Sequence, residues 1–162
     1  MSQVPCLTTT GALVMVPADE VTFGVAVYGI LVENERVLLR RHPETGLWEP
    51  PGGRLFGRQA PEQGVRSLFR AQTGLVCDPV LRLLLESQHR LDEQGQAWEL
   101  TVITYQLQRT RGSTITAPAG GGEQPLWIPL DELQREQMQT GYDAIQIARR
   151  ETPGGFLFPT VE

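Results

Sequence analysis

PPGGRLFGRQAPEQGVRSLFRAQTGL, residues 50–75, opens as a glycine loop of the kind that lets backbone approach an anion. It continues as an amphipathic helix. Pro61 suits a first helical turn and Gly74 a C-terminal cap, so the helix is predicted from about Ala60 to Gly74. Val65, Leu68, Phe69 and Gln72 form its core-facing side. Glu62, Arg66 and Arg70 form a solvated row at i, i+4 spacing, with Glu62–Arg66 an ordinary surface pair. Between Gly52 and Leu75 the only acid is Glu62, against four arginines, Arg54, Arg58, Arg66 and Arg70. That segment carries +3 in a chain of net charge −5, which leaves −8 on the rest. A local positive patch on an acidic body suits a small anion and argues against a nucleic-acid polymer as partner.

Strand patterns flank this segment. VTFGVAVYGILV (21–32) reads as a largely buried strand, Glu33-Asn34-Glu35 as a turn, and RVLLRR (36–41) as the returning strand of a hairpin. VLRLLLESQHRL (80–91), the turn DEQG (92–95) and AWELTVITYQLQ (97–108) give a second hairpin. PLWIPL (125–130) is a short strand, after which Asp131 is predicted to cap a helix beginning ELQRE. A last helix is expected from Gly141 to Arg150, closed by Pro153-Gly154-Gly155. Gly112 to Gly122, with its glycine triplet, reads as a surface loop. Strand pairs interleaved with helices indicate an α/β or α+β domain whose sheet is covered on both faces.

The 162 residues suit one domain, and 40% hydrophobic with 20% charged residues is an ordinary globular composition. Three parts are expected: residues 1–20 as an arm or extra edge strand, 21–152 as the domain, and 153–162 as a tail. Cys6 and Cys77 form no ligand spacing with His42 or His89, and two lone thiols fit a reducing cytoplasm, the expected location. The N-terminus lacks a basic region, its apolar run Ala12–Val16 is too short for a signal peptide, and no segment suits a membrane span. That apolar run leaves a homodimer open.

The order of features resembles the Nudix superfamily, from about Val21 to Arg150. GILVENERVLLRRH resembles the family's first hairpin, GLWEPPGG (46–53) its lead-in to the box, and LWIPLDEL (126–133) its late strand-to-helix junction. Gly53 falls at the first glycine of the box G-x5-E-x7-R-E-U-x-E-E-x-G-U, and Gly74-Leu75 at its close. The resemblance implies an α/β/α sandwich with a central mixed sheet and flanking helices. It also implies a hydrolase of nucleoside diphosphates linked to another moiety.

The interior of the box departs from that pattern. Read without gaps, the first glutamate position is Gln59, the R-E pair is Ser67-Leu68 and the E-E pair is Ala71-Gln72; a one-residue shift restores no carboxylate. Family glutamates at i, i+3 and i+4 present oxygens from one helix face to Mg²⁺, which generates the attacking hydroxide. No metal site and no catalytic residue are therefore expected from the box, and no cofactor. Mg²⁺ or Mn²⁺ belongs only to an alternative in which non-box acids, Glu123, Glu86, Glu49 or Glu62, carry out hydrolysis.

The favoured expectation is a cleft that binds a nucleotide-like or other phosphorylated small molecule with little or no hydrolysis, in effect a pseudoenzyme. Arg54, Arg58, Gly52 and Gly53 are the candidates for phosphate. One of Arg40 and Arg41 should face the cleft by strand alternation, with Arg41 taken as the candidate, and Trp48 is a candidate for stacking a ring. A third alternative is a dimeric scaffold whose cleft is filled by side chains such as Phe56 or Trp48.

Overall fold

The β-branched and small apolar residues of VTFGVAVYGI form the strand against which the other elements bury their faces. The computed structural model describes residues 2–111, 115 and 122–151. Its strands are β1 (Gln3–Leu7), β2 (Leu13–Pro17), β3 (Val21–Ile30), β4 (Val32–Glu33), β5 (Arg36–Arg41), β6 (Trp48–Glu49), β7 (Gly52–Arg54), β8 (Val76–Leu91), β9 (Ala97–Arg111) and β10 (Leu126–Pro129). Two α-helices accompany them, α1 (Pro61–Thr73) and α2 (Tyr142–Glu151). A mixed six-stranded sheet runs β2-β1-β8-β9-β3-β7, and a smaller antiparallel sheet runs β10-β5-β4 with β6 on β5.

Alternation along the strands sorts side chains into two cores. Val27 of β3 and Leu38 of β5 pack with Val65 and Phe69 of α1 and with Ile103, Tyr105 and Leu107 of β9. Ile30, Val37 and Leu39 pack the other way, against Leu130, Leu133, Met138 and the α2 residues Ala144, Ile145 and Ala148. The two helices thus cover opposite faces, and the expected α/β sandwich with a mixed sheet is what the chain forms. On the α2 side, but further along the sheet, Ala26, Tyr28, Leu100 and Val102 make a separate apolar patch with Trp98 against it. That patch floors the cleft described below.

Several elements differ from the sequence expectation for physical reasons. The run 21–32 breaks after Ile30, because Asn34 and Glu35 take φ of 53° and 62° and fold β5 back so that Leu38 N–H donates to Leu31 O at 3.1 Å. Val32 and Glu33 therefore belong to the second sheet. β8 begins four residues earlier than expected, at Val76, and absorbs Pro79 at a register shift between Pro79 and Leu81. The helix expected after Asp131 does not form. Single 3₁₀ turns stand there instead, at Leu130–Glu132 and Arg135–Gln137, each followed by an extended residue, Leu133 and Met138, whose side chain enters the α2 core. Packing those apolar groups outweighs continuing a helix of mostly polar residues.

The first twenty residues supply two further strands. β1 and β2 form an antiparallel hairpin joined to β8 through the Leu7–Arg90 register, while Leu13, Val14 and Met15 are exposed along β2. Most of the expected loop at 112–122, and the whole tail 153–162, lie outside the described residues.

The end of α1 is fixed by a buried hydroxyl. Gly74, at φ 81°, ends the helix with its N–H on Arg70 O, while Thr73 Oγ1 donates to Phe69 O at 2.7 Å and accepts from Leu75 N–H at 3.1 Å. Thr73 and Leu75 are both fully buried. Thr73→Val keeps the side chain's shape but strands the Leu75 N–H, so it is expected to cost about 1–3 kcal/mol in urea unfolding. An unchanged midpoint would show that this hydroxyl does not hold the junction.

Candidate functional site

Gly52 sits where β7 crosses closest to β3. A Cβ there would lie 2.1 Å from Val27 O and 2.7 Å from Tyr28 Cα, so only glycine lets the strands approach. The same residue is gripped from α1. Gly52 N–H donates to Gln72 Oε1 at 3.0 Å, and Gln72 Nε2 donates to Gly52 O at 2.9 Å. Both ends of one amide are thus committed to one glycine. A carboxylate at 72 could accept from the N–H but could not donate to the carbonyl.

The strand register decides what faces the cleft. Arg54 is opposite Ala26 and Gly52 opposite Tyr28, so Arg54 projects on the Ala26–Tyr28 face, away from α1. Trp98 is opposite Arg90, and Leu100 opposite Gln88, on that same face. Together they border an open cleft of about 910 Å³, large enough for a nucleotide. Its outer wall is the tip of the N-terminal hairpin, Thr8–Gly11. Gln139 reaches that tip through Thr9 O (3.4 Å) while accepting from Thr45 Oγ1 (2.9 Å).

Charge in the cleft is mixed. Arg54 Nη1 is 3.7 Å from Asp92 Oδ2, and Arg90 stands beside the buried Tyr28 hydroxyl. Burial raises the Tyr28 phenol, with Arg90 opposing it. Partial burial also raises the Asp92 carboxyl. Hydrogen bonds from the Trp98 indole and the Gln96 and Gln94 backbone, with the Arg54 charge, outweigh that and leave it below the usual carboxylate range. His42 lines the cleft with Nδ1 accepting from Glu44 N–H (3.2 Å) and Thr45 N–H (3.4 Å).

The residues singled out from sequence are placed unevenly. Arg54 is in the cleft. Gly52 and Gly53 shape the loop beside it, and Arg58 is exposed in the turn that follows β7. Arg66 reaches Asp78 (2.9 Å) rather than Glu62, and Arg70 is exposed on α1. Arg41 points outward, donating to Gly46 O (2.8 Å) and stacking on Trp48 at 4.1 Å, so neither of those two lines the cleft. Arg40 turns inward instead, its Nε 3.2 Å from Glu49 Oε2.

The four acids are also separated. Glu49 is buried, and its carboxyl is raised by burial, with Arg40 foremost among the neighbours that oppose the rise. Glu86 borders a smaller cavity of about 210 Å³ shared with Arg135 and Asp143. Glu123 is exposed, 3.9 Å from Arg41 Nε, and Glu62 is exposed on the first turn of α1. Phe56 lines the cleft mouth without filling it. Sequence reading missed Trp98, Arg90, Asp92 and the Thr8–Gly11 turn. The alternation of WELTV, which puts Trp98 on the face of Leu100 and Val102, was the available signal.

A glycine loop clasped to a helix, beside an open cleft on a mixed sheet between two helical layers, defines a Nudix-type domain. The NUDIX domain family model matches residues 22–147, and the chain belongs to that family. Similar solved structures include the MutT protein from Methanosarcina mazei Go1, at 17% identity over 85% of this chain and 99% of that one, with TM-score 0.61. The MutT NUDIX hydrolase from Burkholderia pseudomallei gives 20% identity over 77% and 97%, with TM-score 0.59. An ADP-ribose pyrophosphatase from Streptococcus suis gives 15% over 82% and 94%, with TM-score 0.53. No curated protein matches the sequence. At these identities the likeness is one of fold.

The side chains at the box positions do not fit a hard divalent cation. Gln59 bonds to Ser67 (3.2 Å), Leu68 packs on the core, Ala71 has no donor atom, and both polar atoms of Gln72 are committed to Gly52. Among the described residues no group of three or more His, Cys, Asp or Glu is placed to hold a metal ion.

Gln72→Glu tests the clasp. A carboxylate facing Gly52 O has its pKa raised, since only the protonated acid can donate there. The variant is expected to lose about 1–3 kcal/mol relative to the native chain at pH 7. That deficit should shrink as pH falls through the raised pKa, because protonation restores the donor. A deficit that is absent, or that grows on acidification, contradicts the clasp.

Proposed function

We propose that the cleft binds a nucleotide-like or other phosphorylated small molecule, with little or no pyrophosphate hydrolysis and no need of a divalent metal. The observation that carries this reading is the Gln72–Gly52 clasp. It puts a neutral amide, whose oxygen and nitrogen each already bond Gly52, where the family's box places a carboxylate. Support for a phosphorylated ligand comes from the cleft itself, which is bordered by Arg54, Arg90 and His42. Guanidinium groups give forked donors suited to phosphate oxygens, without metal. Solved structures of similar fold bear names such as ADP-ribose pyrophosphatase and UDP-X diphosphatase, which favours a nucleoside diphosphate derivative as the class of ligand. The protein then acts as a sensor or regulatory subunit in the cytoplasm. Among the described residues no helix is long and apolar enough to cross a membrane.

Two measurements on the same sample test this. Thermal unfolding in EDTA, with pyrophosphate, ADP-ribose and nucleoside diphosphates as probes, should reveal at least one stabiliser, because a ligand that binds only the folded state raises its stability. Incubation of the same probes with Mg²⁺ or Mn²⁺ should release no phosphate-containing product. Turnover that vanishes in Glu49→Gln, Glu86→Gln or Glu123→Gln would overturn the proposal in favour of hydrolysis by non-box acids.

A further inference from the structure

One side of the cleft is already stacked. The guanidinium of Arg54 lies 4.0 Å from the ring centroid of Trp98 and 4.9 Å from that of Phe56. Asp92 organises the arrangement. Its Oδ2 accepts the Trp98 Nε1–H at 3.0 Å and lies 3.7 Å from Arg54 Nη1, while Oδ1 accepts the N–H groups of Gln94 (3.0 Å) and Gln96 (2.9 Å). The carboxylate is therefore fixed by its own turn, and it fixes the indole. Trp98 becomes a rigid flat surface in the cleft wall, and the group lying on it is planar and cationic. Phe56, 74% exposed at the mouth, is a second ring with no apolar cover.

We propose that the Trp98 face is a stacking subsite for the heteroaromatic base of a nucleotide, and that Arg54 occupies it as an internal placeholder in the free protein. Base binding turns Arg54 out of the stack and toward the phosphates of the same ligand. This rests on the reading that the cleft takes a phosphorylated molecule. A base and a guanidinium are both flat, and both gain from an indole face, so they compete for it. The exchange gives up a partly solvated cation–π contact and a loose ion pair. It gains a base–indole stack and a charge-assisted guanidinium–phosphate pair. Arg54 is held on the subsite by a loose ion pair and a ring contact and not locked, its side chain being 27% exposed. Sugar or phosphate alone offers nothing flat to exchange, so base and phosphate are favoured together.

The test is calorimetric titration in EDTA, with tryptophan fluorescence followed in parallel. The probes are ADP, GDP, CDP and UDP, their nucleosides, and two ring-free phosphates, ribose 5-phosphate and pyrophosphate. At least one nucleoside diphosphate is expected to bind about tenfold or more tightly than ribose 5-phosphate, and to quench fluorescence. Trp98→Leu should erase that advantage while leaving pyrophosphate binding in place. Trp98→Phe, which keeps a ring, should retain part of it and guards against a folding defect. Arg54→Ala should split the series, tightening the matching nucleoside about three- to tenfold while weakening its diphosphate. If ribose 5-phosphate binds as tightly as every nucleotide, the stacking subsite is wrong although the phosphate reading stands. If Arg54→Ala leaves nucleoside affinity unchanged, the placeholder role is wrong. If no probe binds at all, the phosphorylated-ligand reading fails first and the subsite falls with it.

Discussion

The clasp between the Gln72 amide and the Gly52 backbone is the contact on which the rest of the site depends. It ties the Nudix-box helix to β7, and Gly52 in turn presses β7 against β3 because no Cβ stands in the way. The register that follows places Arg54 opposite Ala26 and therefore on the cleft face. One neutral pair of hydrogen bonds thus links the helix, the glycine loop and the cation of the cleft. An amide does this without carrying charge into the junction. The family's box carries a carboxylate at the same position, which could accept from the Gly52 N–H but could not donate to its carbonyl.

Losing the acids changes where the charge resides. Of the four arginines between Gly52 and Leu75, only Arg54 reaches the cleft. Arg66 is spent on Asp78, and Arg58 and Arg70 are exposed outside it. The positive patch suggested by composition is therefore dispersed. The basic side chains that line the cleft come from three separate elements, the Arg54 guanidinium at the end of β7, the Arg90 guanidinium at the end of β8 and the His42 imidazole after β5. Their neighbour Asp92 prevents the site from being a simple anion trap. It holds the indole in place and gives Arg54 a resting position. The N-terminal hairpin adds threonine hydroxyls to the outer wall, so a segment outside the matched family region contributes to the cleft.

Much of the fold was legible because its signals are local. Gly74 at the end of α1, the DEQG turn closed by Asp92 and Gly95, and the β-branched runs of β3 and β9 each carry their own physics. The helix expected after Asp131 was misread because its polar residues suit a helix, while the decisive energy lies in burying Leu133 and Met138 in a core assembled from distant segments. The choice between Arg40 and Arg41 followed strand parity, which sequence leaves undetermined by one residue. Trp48 and Trp98 are equally plausible stacking residues on paper. Only the pairing of β9 with β8 sends Trp98 into the cleft, whereas Trp48 lies under Arg41. The Gln72 contact was not readable at all, since a glutamine in place of a glutamate looks like a loss until its partner is known.

A box held together by a neutral clasp and, as proposed, without a place for a divalent ion can be put to a residue-level measurement. Amide spectra of the ¹⁵N-labelled protein would be recorded during titration with Mn²⁺, whose paramagnetism broadens signals near any bound ion. The clasp predicts that Gly52, Gly53 and the α1 amides from Leu68 to Gln72 broaden no more than exposed surface amides do. Selective loss of those signals at low Mn²⁺, reversed by competing Mg²⁺, would place a metal in the box and contradict the account.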